Sequence, residues 1–276
     1  MALMQVNDEG EEMALMQVND LTMRFGGITA VDSLSFEVEK GSITALIGPN
    51  GAGKTSAYNC LTGFYKATSG SIVYNGESLI GLPPHKITYK KIIRTFQNVR
   101  LFKNMTVLEN VMSGAHSVSK QFVLGALLRH PAQRREEKEI LDHSLRCLEF
   151  IGILDKKYKV AKNLSYGDQR RTEWARALAA KPDLLLLDEP AAGLNAEEKQ
   201  KLIALIRRFR DELGITVFLI EHDMSLVMEV SEKVIVINMG KKIAEGTPNE
   251  VQANPLVIDA YLGSEDDNEE GSPWVR

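Results

Sequence analysis

The chain reads as an α/β protein whose parallel sheet carries a phosphate-binding loop, with an antiparallel β subdomain appended and a helical subdomain inserted. Three observations predict this class. The β-branched run Ile43-Thr44-Ala45-Leu46-Ile47 leads directly into Gly48-Pro49-Asn50-Gly51-Ala52-Gly53-Lys54-Thr55, a G-x-x-x-x-G-K-[ST] pattern, and a helix-compatible stretch from Ser56 to Phe64 follows. Two further apolar runs, Asp183 to Asp188 and Thr216 to Ile220, suit parallel strands covered on both faces. Between Leu21 and Val38, apolar and polar residues instead alternate around Gly26-Gly27, the pattern of half-buried antiparallel strands.

Taken in order, residues 1–8 read MALMQVND and residues 13–20 repeat them across Glu9-Gly10-Glu11-Glu12. A copy this short is no architectural repeat, and residues 1–12 are expected to be a disordered duplicated start, with the domain running over 13–263. The second copy continues as a strand, alternating Leu15, Gln17 and Asn19 with Met16, Val18 and Asp20. After the phosphate loop, Ser71 to Tyr74 meets Asn75-Gly76, a hairpin turn pair. Ile92 to Gln97 reads as a strand that ends in a glutamine at a loop. From Thr106 to about Tyr158 the chain is helical and polar, and the opposed charges of Arg134 to Glu139 suit a solvated face. The helical subdomain is expected over about 104–180. Within it Leu164-Ser165-Tyr166-Gly167-Asp168-Gln169 opens a helix that buries Trp174 and Leu178. Leu202, Leu205, Ile206 and Phe209 form the apolar stripe of a later helix, and Val234 to Asn238 with Ile243-Ala244 form a hairpin around Met239-Gly240. Residues 264–276 read as an acidic flexible tail.

The 276 residues are 44% hydrophobic with a net charge of −4 and both signs well mixed, so neither a nucleic-acid face nor a basic membrane-surface helix is indicated. Cys60 and Cys147 lack metal-ligand spacing and read as reduced core thiols. No apolar run approaches the about 18 residues that cross a bilayer. The chain is therefore expected to be soluble when isolated and to reach a membrane only through partners.

The chemistry concentrates in two places. Three glycines let the loop backbone turn its N–H groups toward phosphate oxygens, and the helix that begins at Gly53 points its positive end at the same anion. Lys54 pairs with the outer phosphates, and Thr55 offers a hydroxyl to magnesium. The second place is Asp188-Glu189, where one carboxylate can organise a metal and its neighbour can activate water.

These motifs resemble those of the ATP-binding cassette (ABC) ATPases, and the resemblance covers nearly everything from Leu15 to Gly263. Five elements occur in the family's order: the phosphate loop Gly48 to Thr55, a glutamine loop at Gln97, the signature Leu164 to Gln169, the second nucleotide motif Leu184 to Glu189, and a switch histidine at His222. The resemblance implies an ABC-type nucleotide-binding domain of the P-loop NTPase fold, with ATP and Mg2+ as ligands. It also implies that Phe25 stacks on adenine, that Gly48, Asn50, Gly51, Gly53, Lys54, Thr55 and Ser56 hold the phosphates, and that Thr55, Gln97 and Asp188 attend the metal. Glu189 then activates water with His222, Gln97 and Lys54 as catalytic companions. Ser165 and Gly167 serve the phosphates of a second ATPase, a sister chain or another copy, in a head-to-tail dimer.

Tyr166 stands where glycine is commoner in the family's signature, and Asp168 where glutamine is usual. Pro190 to Asn195, Arg94 to Gln97 with Arg100-Leu101-Phe102, Cys60 to Tyr65, and Tyr261-Leu262-Gly263 are similar to the ATPases of bacterial branched-chain amino acid importers. That likeness implies an ATPase at the cytoplasmic face of the inner membrane, docked on transmembrane permease subunits and served indirectly by a substrate-binding protein. The alternatives are a lipopolysaccharide-export ATPase and a soluble cassette protein without membrane partners.

Overall fold

The structure, a computed structural model, describes residues 14–117 and 131–262. The duplicated start at 1–12 and the tail at 264–276 lie outside the described residues. The described residues up to Ile87 and from Glu189 onward form one compact unit, and the described residues between Thr88 and Asp188 form another.

The first unit contains an antiparallel sheet of β1 (Met16–Phe25), β2 (Ile28–Val38), β4 (Ser69–Tyr74) and β5 (Glu77–Ser78), in the order β2-β1-β4-β5. Alternation is visible where Met16, Val18, Leu34, Phe36 and Val38 are buried while Glu37 is exposed. The β4–β5 turn has positive φ at both central residues, Asn75 at 48° and Gly76 at 77°, matching the hairpin expected from that pair. A second group of strands comprises β3 (Ile43–Ile47), β8 (Thr216–Ile220), β9 (Lys233–Asn238) and β10 (Lys241–Gly246). β3 pairs in parallel with both β8 and β9, and β9 returns antiparallel as β10. Every residue of β3 and β8 is buried, as continuous apolar strands require. Phe36 of β2 stacks on Phe218 of β8 with centroids 5.6 Å apart.

Helix α1 (Lys54–Leu61) follows β3, and α2 (Pro84–Tyr89) follows β5. After Glu189 come α6 (Ala196–Asp211), α7 (Met224–Val230), α8 (Pro248–Gln252) and α9 (Pro255–Leu262). The stripe of α6 buries Leu202, Ile203, Ile206 and Phe209, while Leu205 is only half-buried. Asn195 and Glu198 close a reciprocal cap at its start.

The second unit pairs β6 (Ile92–Arg94) in parallel with β7 (Leu184–Asp188) and carries α3 (Val107–His116), α4 (Pro131–Ile151) and α5 (Tyr166–Ala179). β6 stops three residues before Gln97, shorter than expected, because Phe96 leaves the ladder to lie under the guanidinium groups of Arg94 and Arg100. The helical stretch likewise ends at Ile151, where Gly152 takes a φ of 76°, and short 3-10 turns at Leu154–Lys156 and Ala161–Asn163 lead to α5. Arg135 and residues 137–139 of α4 are exposed, the solvated face expected from their mixed charges. Cys60 and Cys147 are free and buried, and burial pushes each thiol up to about 11.

A close helix contact in this unit is made by Gly114 of α3, where an added Cβ would sit 2.1 Å from the Arg176 carbonyl oxygen of α5. Gly114→Ala must therefore push two helices apart, at a cost of about 1–3 kcal/mol. Urea unfolding should show a lower midpoint of that size, and an unchanged midpoint would contradict the contact.

Candidate nucleotide-binding site

β3 delivers the chain to the phosphate loop at the buried Gly48. A Cβ there would lie 2.1 Å from the Ile237 carbonyl oxygen of β9, and one at Gly53 would lie 2.2 Å from the Ala30 carbonyl oxygen of β2. Gly51, at φ 78°, has open space around it and needs glycine for its dihedral alone. Asn50 and Gly51 are exposed at the tip, Thr55 is exposed and Ser56 half-exposed on the first turn of α1. The buried Lys54 donates from Nζ to the carbonyl oxygens of Gly48 at 2.6 Å and Pro49 at 2.9 Å. Burial lowers its pKa, and the neighbouring Glu189 charge opposes that.

The start of α1 differs from five other described helix starts. Thr106, Ser165, Asn195, Asp223 and Thr247 each cap a helix with a side-chain oxygen, whereas Gly53 supplies no side-chain cap and the first turn of α1 has no acidic residue. An uncapped positive helix end beside a lysine fits a phosphate group. Phe25, exposed at the end of β1, is braced edge-on by Tyr65 with centroids 5.2 Å apart, a posture suited to stacking a planar base.

Glu189 stands at the start of the turn after β7 with a φ of 44°, a left-handed conformation that a non-glycine residue holds only when its surroundings impose it. Its N–H donates to the Ile220 carbonyl oxygen at 2.9 Å. His222, exposed, places Nδ1 3.7 Å from Glu189 Oε2. The first unit thus brings Lys54, Glu189 and His222 together. Tyr261 of α9, noted in the sequence only as part of a likeness, also belongs here: its hydroxyl, pushed up by burial, interacts with the backbone of Gly48.

In the second unit, Asp188 ends β7 and its Oδ2 accepts from Arg94 Nη2 at 3.1 Å, with both side chains nearly buried. Gln97 is exposed, and its carbonyl oxygen accepts from Arg170 Nη2 at 3.4 Å. Ser165 caps α5 by accepting the Asp168 N–H at 3.2 Å, and Gly167 lies half-exposed in the first turn. Both unusual signature residues have partners: Tyr166 Oη accepts from Arg170 Nη2 at 2.8 Å, and Asp168 Oδ2 takes Lys156 Nζ at 2.6 Å. Among the described residues no group of three or more His, Cys, Asp or Glu side chains is placed to hold a metal. In the first unit the exposed Thr55 hydroxyl, and in the second the Gln97 amide oxygen and the Asp188 carboxylate, are each hard oxygen donors of the type magnesium takes.

A family model described as ABC transporter matches residues 31–192, spanning the phosphate loop, the signature and the Asp188-Glu189 pair. The chain is an ATP-binding cassette of the ABC transporter family. A second model, described as branched-chain amino acid ATP-binding cassette transporter, matches residues 241–267 of the cassette. The cassette is 49% identical over 249 residues to the high-affinity branched-chain amino acid transport ATP-binding protein BraF of Pseudomonas aeruginosa, covering 90% of this chain and 98% of that one. It is equally similar, 49% over 249 residues with the same coverage, to LivG of Escherichia coli, which carries the same description. Among solved structures, the ADP conformation of an ABC-transporter cassette superposes with a TM-score of 0.79 at 30% identity, over 91% of this chain and 99% of that one. The sequence-based fold class agrees with that architecture.

The Asp168 ion pair gives the cassette a pH signature. Burial pushes the Asp168 carboxyl up, but hydrogen bonds from Lys156 and Ser165 and the charges of Lys156 and Arg171 outweigh it, leaving the pKa below the ordinary value. A carboxylate depressed in the folded state adds stability above its unfolded pKa and loses it as pH falls through the folded one. Asp168→Asn should therefore be less stable than wild type by about 1 kcal/mol at pH 7. In denaturant titrations the difference should shrink below about pH 4, and a gap that persists at lower pH would assign the effect to something other than charge.

Proposed function

We propose that the cassette is the ATP-hydrolysing subunit of an importer for branched-chain amino acids, docked on transmembrane permease subunits. The observation that carries this reading is near-50% identity to BraF and LivG over almost their whole lengths, joined by the match of residues 241–267 to a branched-chain amino acid model. That extent of likeness favours import over the lipopolysaccharide-export and soluble alternatives. No described helix is long and apolar enough to cross a membrane, so attachment at the cytoplasmic face of the inner membrane falls to the permeases. A sister ATPase or second copy completes a head-to-tail dimer, and a separate binding protein delivers the amino acid.

In this reading Phe25 stacks on the adenine ring, Gly48, Asn50, Gly51, Gly53, Thr55 and Ser56 hold the phosphates, and Lys54 turns its ammonium from the loop carbonyls to the outer phosphates. Glu189 orients the attacking water and accepts its proton, and His222 donates to the γ-phosphate. Gln97 senses the metal side and the permease. Ser165 and Gly167 meet the phosphates bound by the other ATPase. By the family likeness Thr55, Gln97 and Asp188 are the residues that would hold magnesium, which would supply charge neutralisation when bound. Arg94 holds the Asp188 carboxylate in place by donating to its Oδ2.

The test uses the cassette assembled with its permeases in vesicles. ATP inside should drive accumulation of leucine, isoleucine or valine delivered by the binding protein. Glu189→Gln should retain ATP while slowing turnover by roughly 10² to 10⁴, about 3–5 kcal/mol in the barrier. Phosphate release within a few-fold of wild type would remove Glu189 from the chemistry, and ATP turnover indifferent to every branched-chain amino acid would sink the substrate reading.

A further inference from the structure

Glu221 lies between the last residue of β8 and His222, and its side chain is 0% exposed. Its two oxygens serve two different segments. Oε1 accepts the Ala191 N–H at 2.7 Å, across 30 residues of sequence. Oε2 accepts the N–H groups of His222 at 3.0 Å and Asp223 at 3.3 Å and lies 3.9 Å from His222 Nδ1. Burial pushes this carboxyl up, and the backbone donors and His222 pull it back. A buried carboxylate is costly, and a loop that only has to turn does not need one.

The segments it joins are the two that matter. Ala191 is two residues beyond Glu189, whose φ of 44° has to be imposed from outside. The Glu189 N–H is anchored on Ile220 at 2.9 Å, and its carbonyl oxygen accepts the Ala192 N–H at 3.2 Å. With Ala191 fixed on Oε1, the Glu189 turn is bracketed from both sides. The histidine side is equally tied: Asp223 caps α7 through the Leu226 N–H at 3.2 Å and pairs with Lys199 of α6. The carboxylate of Glu221 links the bracketed turn directly to the anchored histidine loop.

We propose that Glu221 is a positioning residue that couples the strained Glu189 turn to His222, holding carboxylate and imidazole at the separation turnover needs. This rests on the roles given above to Glu189 and His222. Glu221 acts through these two segments. Its carboxylate works by accepting from both segments at once, which a neutral amide of the same shape cannot do. A glutamine amide puts an N–H2 against one of the backbone donors and loses one of the two arms.

The experiment compares Glu221→Gln with wild type in the full chain assembled with its partners, reading turnover at saturating ATP, equilibrium ATP binding and thermal unfolding. Turnover should fall about 10- to 100-fold, as expected for misplacement by around 1 Å, while ATP affinity stays within about 3-fold. The double variant Glu221→Gln/His222→Ala should lose less than the product of the two single losses, because both act through one arrangement. Glu221→Asp keeps the charge but is one methylene too short to span both segments, so it should be slow as well. Four results would overturn the proposal: normal turnover in a folded Glu221→Gln or Glu221→Asp, equal losses in affinity and turnover, strictly multiplicative losses in the double variant, or failure of both single variants to fold. Glu189→Gln is the control. If it is slow while Glu221→Gln is normal, the coupling alone is wrong, whereas normal turnover in Glu189→Gln would remove the reading beneath it.

Discussion

The phosphate loop is pressed between two sheets, and the rest of the first unit is arranged around that pressure. Gly48 lies against the backbone of Ile237 in β9, and Gly53 against the backbone of Ala30 in β2, each too close for a side chain. The turn between β9 and β10 completes the clamp, since the Gly240 N–H donates to the Ala52 carbonyl oxygen at 2.9 Å and the Gly240 carbonyl oxygen accepts the Asp32 N–H at 2.8 Å. A loop gripped through its own backbone cannot relax around whatever it binds. Its N–H groups are therefore oriented in advance, which is how fixed dipoles stabilise an anion without reorganisation.

The same unit concentrates charge where burial makes it costly. Lys54 is buried with its ammonium on two loop carbonyls, Glu189 is held in a strained turn, and Glu221 is fully enclosed by backbone donors. None of these is the cheapest way to fold an α/β sheet. Each trades stability for a fixed direction: an ammonium aimed along the loop, a carboxylate aimed at His222, and a brace between their segments.

Much of this was legible in the sequence, for physical reasons. Apolar runs such as Ile43 to Ile47 and Thr216 to Ile220 can only be buried strands, and Asn75-Gly76 can hardly be other than a primed turn. The phosphate loop carries lysine and hydroxyl at fixed spacing, so its chemistry shows before its fold does. What stayed hidden depends on contacts distant in sequence. Nothing local tells that Phe96 leaves its strand for two arginines, that Glu189 sits at positive φ, or that Glu221 reaches Ala191. Periodicity also misjudged one face, because Ile203 rather than Leu205 completes the buried stripe of α6. A helix repeat gives the direction of a face, but the neighbouring elements set its width.

The departures at the signature follow the same logic. Tyr166 and Asp168 are not idle replacements, since the tyrosine hydroxyl engages the buried Arg170 and the aspartate takes Lys156. Arg170 in turn holds the Gln97 carbonyl oxygen, so the start of α5 and the glutamine segment share one guanidinium. The C-terminal stretch behaves comparably: Tyr261, inside the region matched to branched-chain amino acid cassettes, meets the backbone of Gly48. Tyr166, through Arg170, and Tyr261 are thus tied to the glutamine segment and to the phosphate loop respectively.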